Sequence, residues 1–317
     1  RKIAPALAAG CSVIIKPSEE TPGTAIEVIK IFQEAGLPKD VINLVFGVPH
    51  EISDYLLSRE EVKKVSFTGS VPVGKLLARK SAETLKRCTL ELGGHSPAII
   101  AEDADIETTL DTLTGFKFRN AGQVCIAPSR FYVHENIYDE VRDGFLNRIK
   151  NINLGNGMNE GVTMGPLSNS RRVDAMKDFI DDAVKNGSNL IHGGNRYKDK
   201  GFFWEPTLIE NINEGSKMMT EEIFGPILAL FKFTDYDDVI EKANSLNYGL
   251  ASYVYTRSKA LQEKMAKEII AGGVSINTAS PMHPEIPYGG IKESGIGYEG
   301  GIDAIYSFLH KKNINIV

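Results

Sequence analysis

The sequence predicts an α/β protein with a parallel sheet covered on both faces, and two observations carry that prediction. Short apolar runs alternate with helix-length amphipathic segments from one end of the chain to the other. Such alternation marks strand-helix-strand units, which bind ligands beyond the carboxyl ends of their strands. Cap and turn residues fall at the joints between segments, where the hydrophobic period changes. With 317 residues, 42% of them hydrophobic and 24% charged, the chain is long enough for two domains of ordinary globular composition.

Taken in order, "RKIAPALAAG" reads as the second half of an apolar helix ended by Gly10, without a methionine or an N-cap, so the protein is expected to begin earlier. "CSVIIKP" is a strand. "TPGTAIEVIKIFQEAG" is a helix with Thr21 as cap, Pro22 at its first position and Gly36 closing it. "VINLVFG", "KKVSFTG" and "RCTLELGG" supply further strands, separated by the helices "EISDYLLSR" and "VPVGKLLARKSAE". The remainder repeats the alternation with longer pieces. "DIETTLDTLTGFKF", "NIYDEVRDGFLNRIK", "SRRVDAMKDFIDDAVKNG", "YDDVIEKANS" and "KALQEKMAKEIIAG" are helical, while "RFYVHE", "PILALFKF", "ASYVYT" and "GGVSIN" are strands. The closing "SFLHKKNINIV" alternates apolar and polar residues at its end, like an exposed strand that pairs with another chain.

Several function classes are disfavoured. A net charge of −5 with scattered lysines and arginines gives no basic face for nucleic acid. Apolar runs such as "SVII" and "PAII" fall far short of the roughly 18 residues a membrane span needs. Three cysteines without paired spacing argue for a reducing, cytoplasmic setting, and six histidines without ligand spacing argue against a metal site.

Five stretches carry candidate chemistry. In "FRNAGQVCIAPSR", Cys125 follows small and polar residues, so it is either a buried small residue or a nucleophile. Glu91 interrupts an apolar strand just before two glycines; desolvation there suits it to general-base work, and an ion pair with a nearby cation is the alternative. "VSFTGSVPVG" runs from a strand through Gly69 and Ser70 into a helix, which is a phosphate-binding start or a tight turn. In "IIKPSEETPG", Lys16 and Glu19 stand at a strand's end as donor and acceptor for ribose hydroxyls, or as a solvated turn. "EEIFGP" sets Glu222 near Phe224 ahead of a strand, and alone it is ambiguous.

Together the blocks "KPSEETP", "FTGSVPVG", "LELGGHSP", "FRNAGQVC", "EEIFGPIL", "NYGLAS" and "PYGGIKESGIGYEGG" resemble those of the aldehyde dehydrogenase superfamily, in the same order and across the whole chain. The separations of 34 residues between Glu91 and Cys125, and 97 between Cys125 and Glu222, are similar too. The resemblance implies a Rossmann-like cofactor domain over residues 1–92, incomplete here, a catalytic thiol domain over 93–298, and a C-terminal oligomerisation strand within 299–317. It implies that Cys125 is the nucleophile and Glu91 the base. Lys16 and Glu19 would hold the adenosine ribose, Gly69 and Ser70 the pyrophosphate, and Glu222 the nicotinamide ribose with Phe224 positioning that end; Ser18, Phe67 and Leu92 would also bind the cofactor. The cofactor would be NAD, since an acid at Glu19 repels a 2′-phosphate, with NADP possible because Lys16 offsets that charge. The substrate would be a small aldehyde, with semialdehydes among the candidates, and the assembly a homodimer or homotetramer.

Two departures accompany the resemblance. The family's chain has an N-terminal part, including an oxyanion-stabilising asparagine, that would precede Arg1; without it this polypeptide is expected to turn over little or not at all. Tyr298 stands where the family often has arginine. Arg130 and residues 279–287 are placed near the aldehyde channel, with a purely structural arginine as the stronger reading for Arg130. A CoA-acylating relative, disfavoured by Glu91, and a catalytically silent relative remain as alternatives.

Overall fold

A computed structural model describes residues 1–198 and 200–317. In chain order its elements are α1 (Ile3–Ala8), β1 (Val13–Ile15), α2 (Pro22–Glu34), β2 (Ile42–Leu44), α3 (Pro49–Ser58), β3 (Lys64–Thr68), α4 (Val71–Ala82), β4 (Arg87–Glu91), β5 (Pro97–Ile100), α5 (Ile106–Phe118), β6 (Arg130–His134) and α6 (Tyr138–Lys150). There follow α7 (Ser170–Lys185), β7 (Asn189–His192), β8 (Thr207–Glu210), α8 (Lys217–Thr220), β9 (Ile227–Phe233), α9 (Tyr236–Asn244), β10 (Ala251–Tyr255), α10 (Lys259–Glu268), β11 (Gly273–Ile276), β12 (Gly295–Ile296) and α11 (Gly301–Tyr306). The chain forms two compact units, one of Arg1–Leu92, Met282–Gly289 and Gly295–Val317, the other of Gly93–Pro281 and Gly290–Ser294.

The second unit is organised by a seven-stranded sheet in the order β11-β10-β5-β6-β9-β8-β7, parallel throughout except for β7, which runs antiparallel to β8. Strands covered on both faces read as unbroken apolar runs rather than alternating ones. Accordingly β5, β6, β8 and β10 are buried at every position, and β9 exposes only Lys232. Helices start where the sequence provides caps: Asp105, Asn169, Asp235 and Ser258 each accept a backbone N–H from the first turn of α5, α7, α9 and α10.

In the first unit the strands form two short, mainly parallel sheets. β1 and β2 form a separate parallel pair over three residues, and β3 and β4 form another, with β12 antiparallel on the far edge of β4. Because β12 takes that edge, β4 has no place there for a further parallel neighbour. Residues 308–317, where a strand that pairs with another chain is expected, carry no regular secondary structure, and no strand among the described residues pairs with them.

Candidate active site

The first unit brings most of the candidate residues to the ends of β1, β3 and β4. The ammonium of Lys16, just past β1, is ion-paired with Glu19, and that hydrogen bond holds the Glu19 carboxyl below its usual range. Ser18 Oγ accepts the Glu20 backbone N–H at 3.2 Å, tightening the same turn. After β3, Gly69 N donates to the Glu91 carbonyl at 3.1 Å. A Cβ on Gly69 would come within 2.4 Å of the Phe67 ring, so glycine lets the backbone fold down over that side chain. Ser70 is the N-cap of α4 in an extended conformation, and its side chain caps nothing, which leaves the first-turn N–H groups available to an anion. Gly74 of α4 packs directly on Leu92, where a Cβ would sit 2.4 Å from a leucine methyl.

Glu91 is the last residue of β4, paired across the ladder with Thr68 on one side and Gly295 on the other. It is 4% exposed, and neither carboxylate oxygen has a hydrogen-bond partner. Burial pushes its carboxyl up to about 8, Glu299 pushes in the same direction, and Lys2 and Arg1 oppose both. Lys2 is itself ion-paired with Glu299. A desolvated carboxylate that nothing holds is a competent proton acceptor near neutral pH.

In the second unit, Cys125 follows a turn whose backbone is left-handed at Asn120, Ala121 and Gly122, with φ of 51°, 53° and 71°. Two of these carry side chains, for which that conformation is costly, and side-chain hydrogen bonds hold it in place. Asn120 Nδ2 donates to the Gln123 carbonyl and Gln123 Nε2 to the Asn120 carbonyl, both at 3.0 Å, while Gln123 Oε1 accepts the Ser168 N–H at 2.8 Å. Tyr253 donates its hydroxyl to the Ile126 carbonyl at 2.7 Å. Gly94 lies against the Cys125 turn, since a Cβ there would be 2.6 Å from the Cys125 carbonyl oxygen. Half-buried Cys125 therefore sits in a fixed, strained turn between α5 and β6 rather than in a hydrophobic strand.

Glu222 lies ahead of β9. Its Oε1 accepts the Gly94 N–H at 3.1 Å, and a Cβ on Gly93 would meet Oε2 at 2.5 Å. Burial raises its carboxyl to about 7, against the pull of the Gly94 N–H, Arg172 and Lys117. Phe224, two residues on, has φ of 45°, and the Arg172 guanidinium lies 5.7 Å from its ring centre.

The model of the aldehyde dehydrogenase family matches residues 1–314. The chain belongs to that family. It is 40% identical over 314 residues to 3-sulfolactaldehyde dehydrogenase of Pseudomonas putida and 41% identical over 312 residues to succinate semialdehyde dehydrogenase of Acinetobacter baylyi, matching 99% and 98% of this chain. It spans 65% of the length of each of these relatives. Among solved structures, succinate-semialdehyde dehydrogenase from Burkholderia pseudomallei superposes with a TM-score of 0.95 at 38% identity, over 97% of this chain and 64% of that one. Betaine aldehyde dehydrogenase from Staphylococcus aureus in complex with NAD+ gives 0.93 at 37% identity, over 97% and 62%.

Within this aldehyde dehydrogenase chain, Arg130 is structural. It is 2% exposed and spends its guanidinium on the His95, Lys242 and Ala243 carbonyls at 3.0, 2.9 and 3.1 Å and on the Tyr132 hydroxyl at 3.4 Å. Buried His95 donates from Nε2 to the Met218 carbonyl at 2.9 Å and accepts from Ser129 at Nδ1, and burial draws its pKa down to about 3, so it stays neutral.

Three neighbours of the candidate residues carry weak or no signal in the sequence. Lys117 on α5 is 1% exposed, and burial pulls its ammonium down to about 7 while Glu222 resists. Its spacing from Leu110, Leu113 and Thr114 places it on the buried face of the helix, a readable signal. Arg172 opens α7 among solvated neighbours, and the Lys2–Glu299 pair joins residues 297 apart in sequence; neither carries a local signal.

Proposed function

We propose that the protein oxidises an aldehyde to a carboxylic acid with NAD, using Cys125 as nucleophile and Glu91 as general base. The observation that carries this reading is Glu91: a buried carboxylate at a strand's end with neither oxygen hydrogen-bonded. A structural ion pair would have a partner; a proton acceptor needs its oxygens unclaimed.

The residues present fit a dinucleotide. Lys16, Ser18 and Glu19 offer donors and acceptors for the adenosine ribose, and the uncapped start of α4 at Gly69 and Ser70, floored by Phe67 and Leu92, suits the pyrophosphate. Glu222 and Phe224 suit the nicotinamide ribose, with glycine at 93 leaving room for the carboxylate. An ionised Glu19 supports NAD over NADP, and Lys16 leaves NADP as the second choice. NAD, when bound, supplies the hydride acceptor. Cys125 Sγ, as thiolate, bonds to the aldehyde carbon and the carbonyl oxygen takes up the negative charge. Departure of hydride from that carbon leaves an acyl thioester on Sγ. Glu91 then takes a proton from water as the water oxygen attacks the acyl carbon, and the C–S bond breaks to release acid and thiolate.

A semialdehyde is the favoured substrate class. The relatives named for 3-sulfolactaldehyde and succinate semialdehyde are named for aldehydes that carry an acidic group. With Arg130 fully engaged, Arg119, exposed at the start of the nucleophile turn, supports recognition of such a group. The exposed apolar side chains Ile314, Ile316 and Val317 support a homo-oligomer, a dimer or tetramer, which light scattering would measure. Cys11, Cys88 and Cys125 form no disulfide, which supports a reducing, cytoplasmic setting.

The test is NADH absorbance from the full-length gene product with succinate semialdehyde and with a neutral short aldehyde, each with and without CoA. Turnover without CoA, higher with the semialdehyde, is expected, and Cys125→Ala should lower it by at least about 10³-fold. A signal that survives Cys125→Ala removes the nucleophile, and strict dependence on CoA turns the reading to the acylating alternative.

A further inference from the structure

Three turns of the second unit meet at the first two turns of α7, held by one backbone-to-backbone contact and by the side chains of Gln123 and Met176. A Cβ on Gly122, in the nucleophile turn, would lie 2.1 Å from the Gly225 carbonyl oxygen, so these two turns are in direct contact. Gly225 in turn rests on α7, where a Cβ would meet Met176 Sδ at 2.1 Å. The segment entering α7 is tied to the nucleophile turn as well, because Gln123 accepts the Ser168 N–H and donates to the Pro166 carbonyl at 3.4 Å.

Arg172 stands at the centre of this arrangement. Its backbone N–H is fixed by the Asn169 cap at 3.2 Å, and its Nη2 donates to the carbonyls of both Ile223 and Phe224, the latter at 3.0 Å. These carbonyls flank the left-handed backbone of Phe224, over whose ring the same guanidinium lies. A phenylalanine keeps such a conformation only when its surroundings over-determine it. One arginine thus fixes the turn that begins at Glu222 and, through the Gly225–Gly122 contact, backs the turn that presents Cys125.

We propose that Arg172 is a positioning residue that holds the Glu222–Gly225 turn against the nucleophile turn, so that the cofactor-side acid and the Cys125 thiol are set by one clamp. The proposal rests on the reading of Cys125 as the nucleophile. Without the guanidinium the Phe224 backbone relaxes, Gly225 withdraws its support from Gly122, and the left-handed run at 120–122 loses its backing. The Gln123 hydrogen bonds remain, so the fold is retained while the thiol loses its setting.

The test needs no turnover. Iodoacetamide alkylation of each cysteine is followed by peptide mass spectrometry at neutral pH, in the parent chain and in Arg172→Met, with Cys11 and Cys88 as references in the same sample. Cys125 alkylation should slow by about fivefold or more in Arg172→Met, with Cys11 and Cys88 unmoved. Arg172→Lys, which keeps a charged donor nitrogen for the two carbonyls but loses the planar guanidinium, should restore the rate part of the way. If Arg172→Met unfolds, Arg172→Lys decides alone, with a slowing of about twofold or more expected. A smaller change at Cys125, a faster rate, or equal slowing at all three cysteines would overturn the clamp. Failure of the underlying reading is a separate result: in the parent chain Cys125 would then react no faster than Cys11 and Cys88.

Discussion

Glu91 closes β4 in the first unit with neither oxygen hydrogen-bonded, whereas Glu222 in the second accepts the Gly94 N–H and faces two cations, Lys117 and Arg172. Burial raises both, Glu91 to about 8 and Glu222 to about 7. The difference lies in what holds the charged form. Cations act on both, but a carboxylate without a hydrogen bond is open to a proton, whereas one that accepts a backbone N–H keeps a fixed geometry. Under the proposed function, similar desolvation serves a base in one unit and a binding group in the other.

The largest effect should follow from removing the unheld carboxylate. Glu91→Gln keeps shape and loses proton acceptance, so steady-state turnover of the full-length product should fall by about 10²- to 10⁴-fold. The Kd for NAD, measured by fluorescence titration, should stay within about twofold. A matching loss of NAD affinity would erase the functional contrast between the two glutamates.

At Glu222 the contrast is tested from the cation side. Lys117→Met removes one of the groups that lower the Glu222 carboxyl, so more of it is protonated at neutral pH. A protonated carboxyl accepts ribose hydroxyls poorly, and the Kd for NAD should rise by about twofold or more, recovering as the pH is raised. An unchanged Kd, or one that worsens with pH, would mean that Lys117 does not keep Glu222 charged.

The two units also differ in how much of them the sequence discloses. In the second, long apolar runs such as "PILALFKF" and "ASYVYT" could hardly be anything but buried strands, and β9 and β10 lie there. The first resisted because its sheets depend on pairing: nothing local in "SGIG" announces that Gly295 and Ile296 will lie antiparallel to Glu91 and Leu90. The sequence singles out Cys125 and Glu91 as candidates only through spacing and motif order. Their surroundings are not legible there, since the Lys2–Glu299 pair and the hold of Arg172 on the Phe224 turn arise from folding.

A smaller effect concerns stability. The Glu91 carboxyl ionises near the ordinary 4.5 when unfolded and at about 8 when folded, so between those values the native state keeps a proton that the unfolded state has lost. That contribution is complete below 4.5 and disappears as the pH rises through about 8. Thermal melts should show the parent losing about 5 °C more than Glu91→Gln across that window. Parallel curves would mean that Glu91 is not desolvated as described.

Acid-quenched mass spectrometry of the Cys125 peptide, after Glu91→Gln full-length product is mixed with NAD and succinate semialdehyde, reaches the central claim most directly. The acyl thioester should accumulate on Cys125, because it forms without the base and hydrolyses slowly in its absence, and it should vanish in the Cys125→Ala, Glu91→Gln double variant. An unmodified Cys125 peptide, or an acyl group on Cys11 or Cys88 instead, would contradict the account.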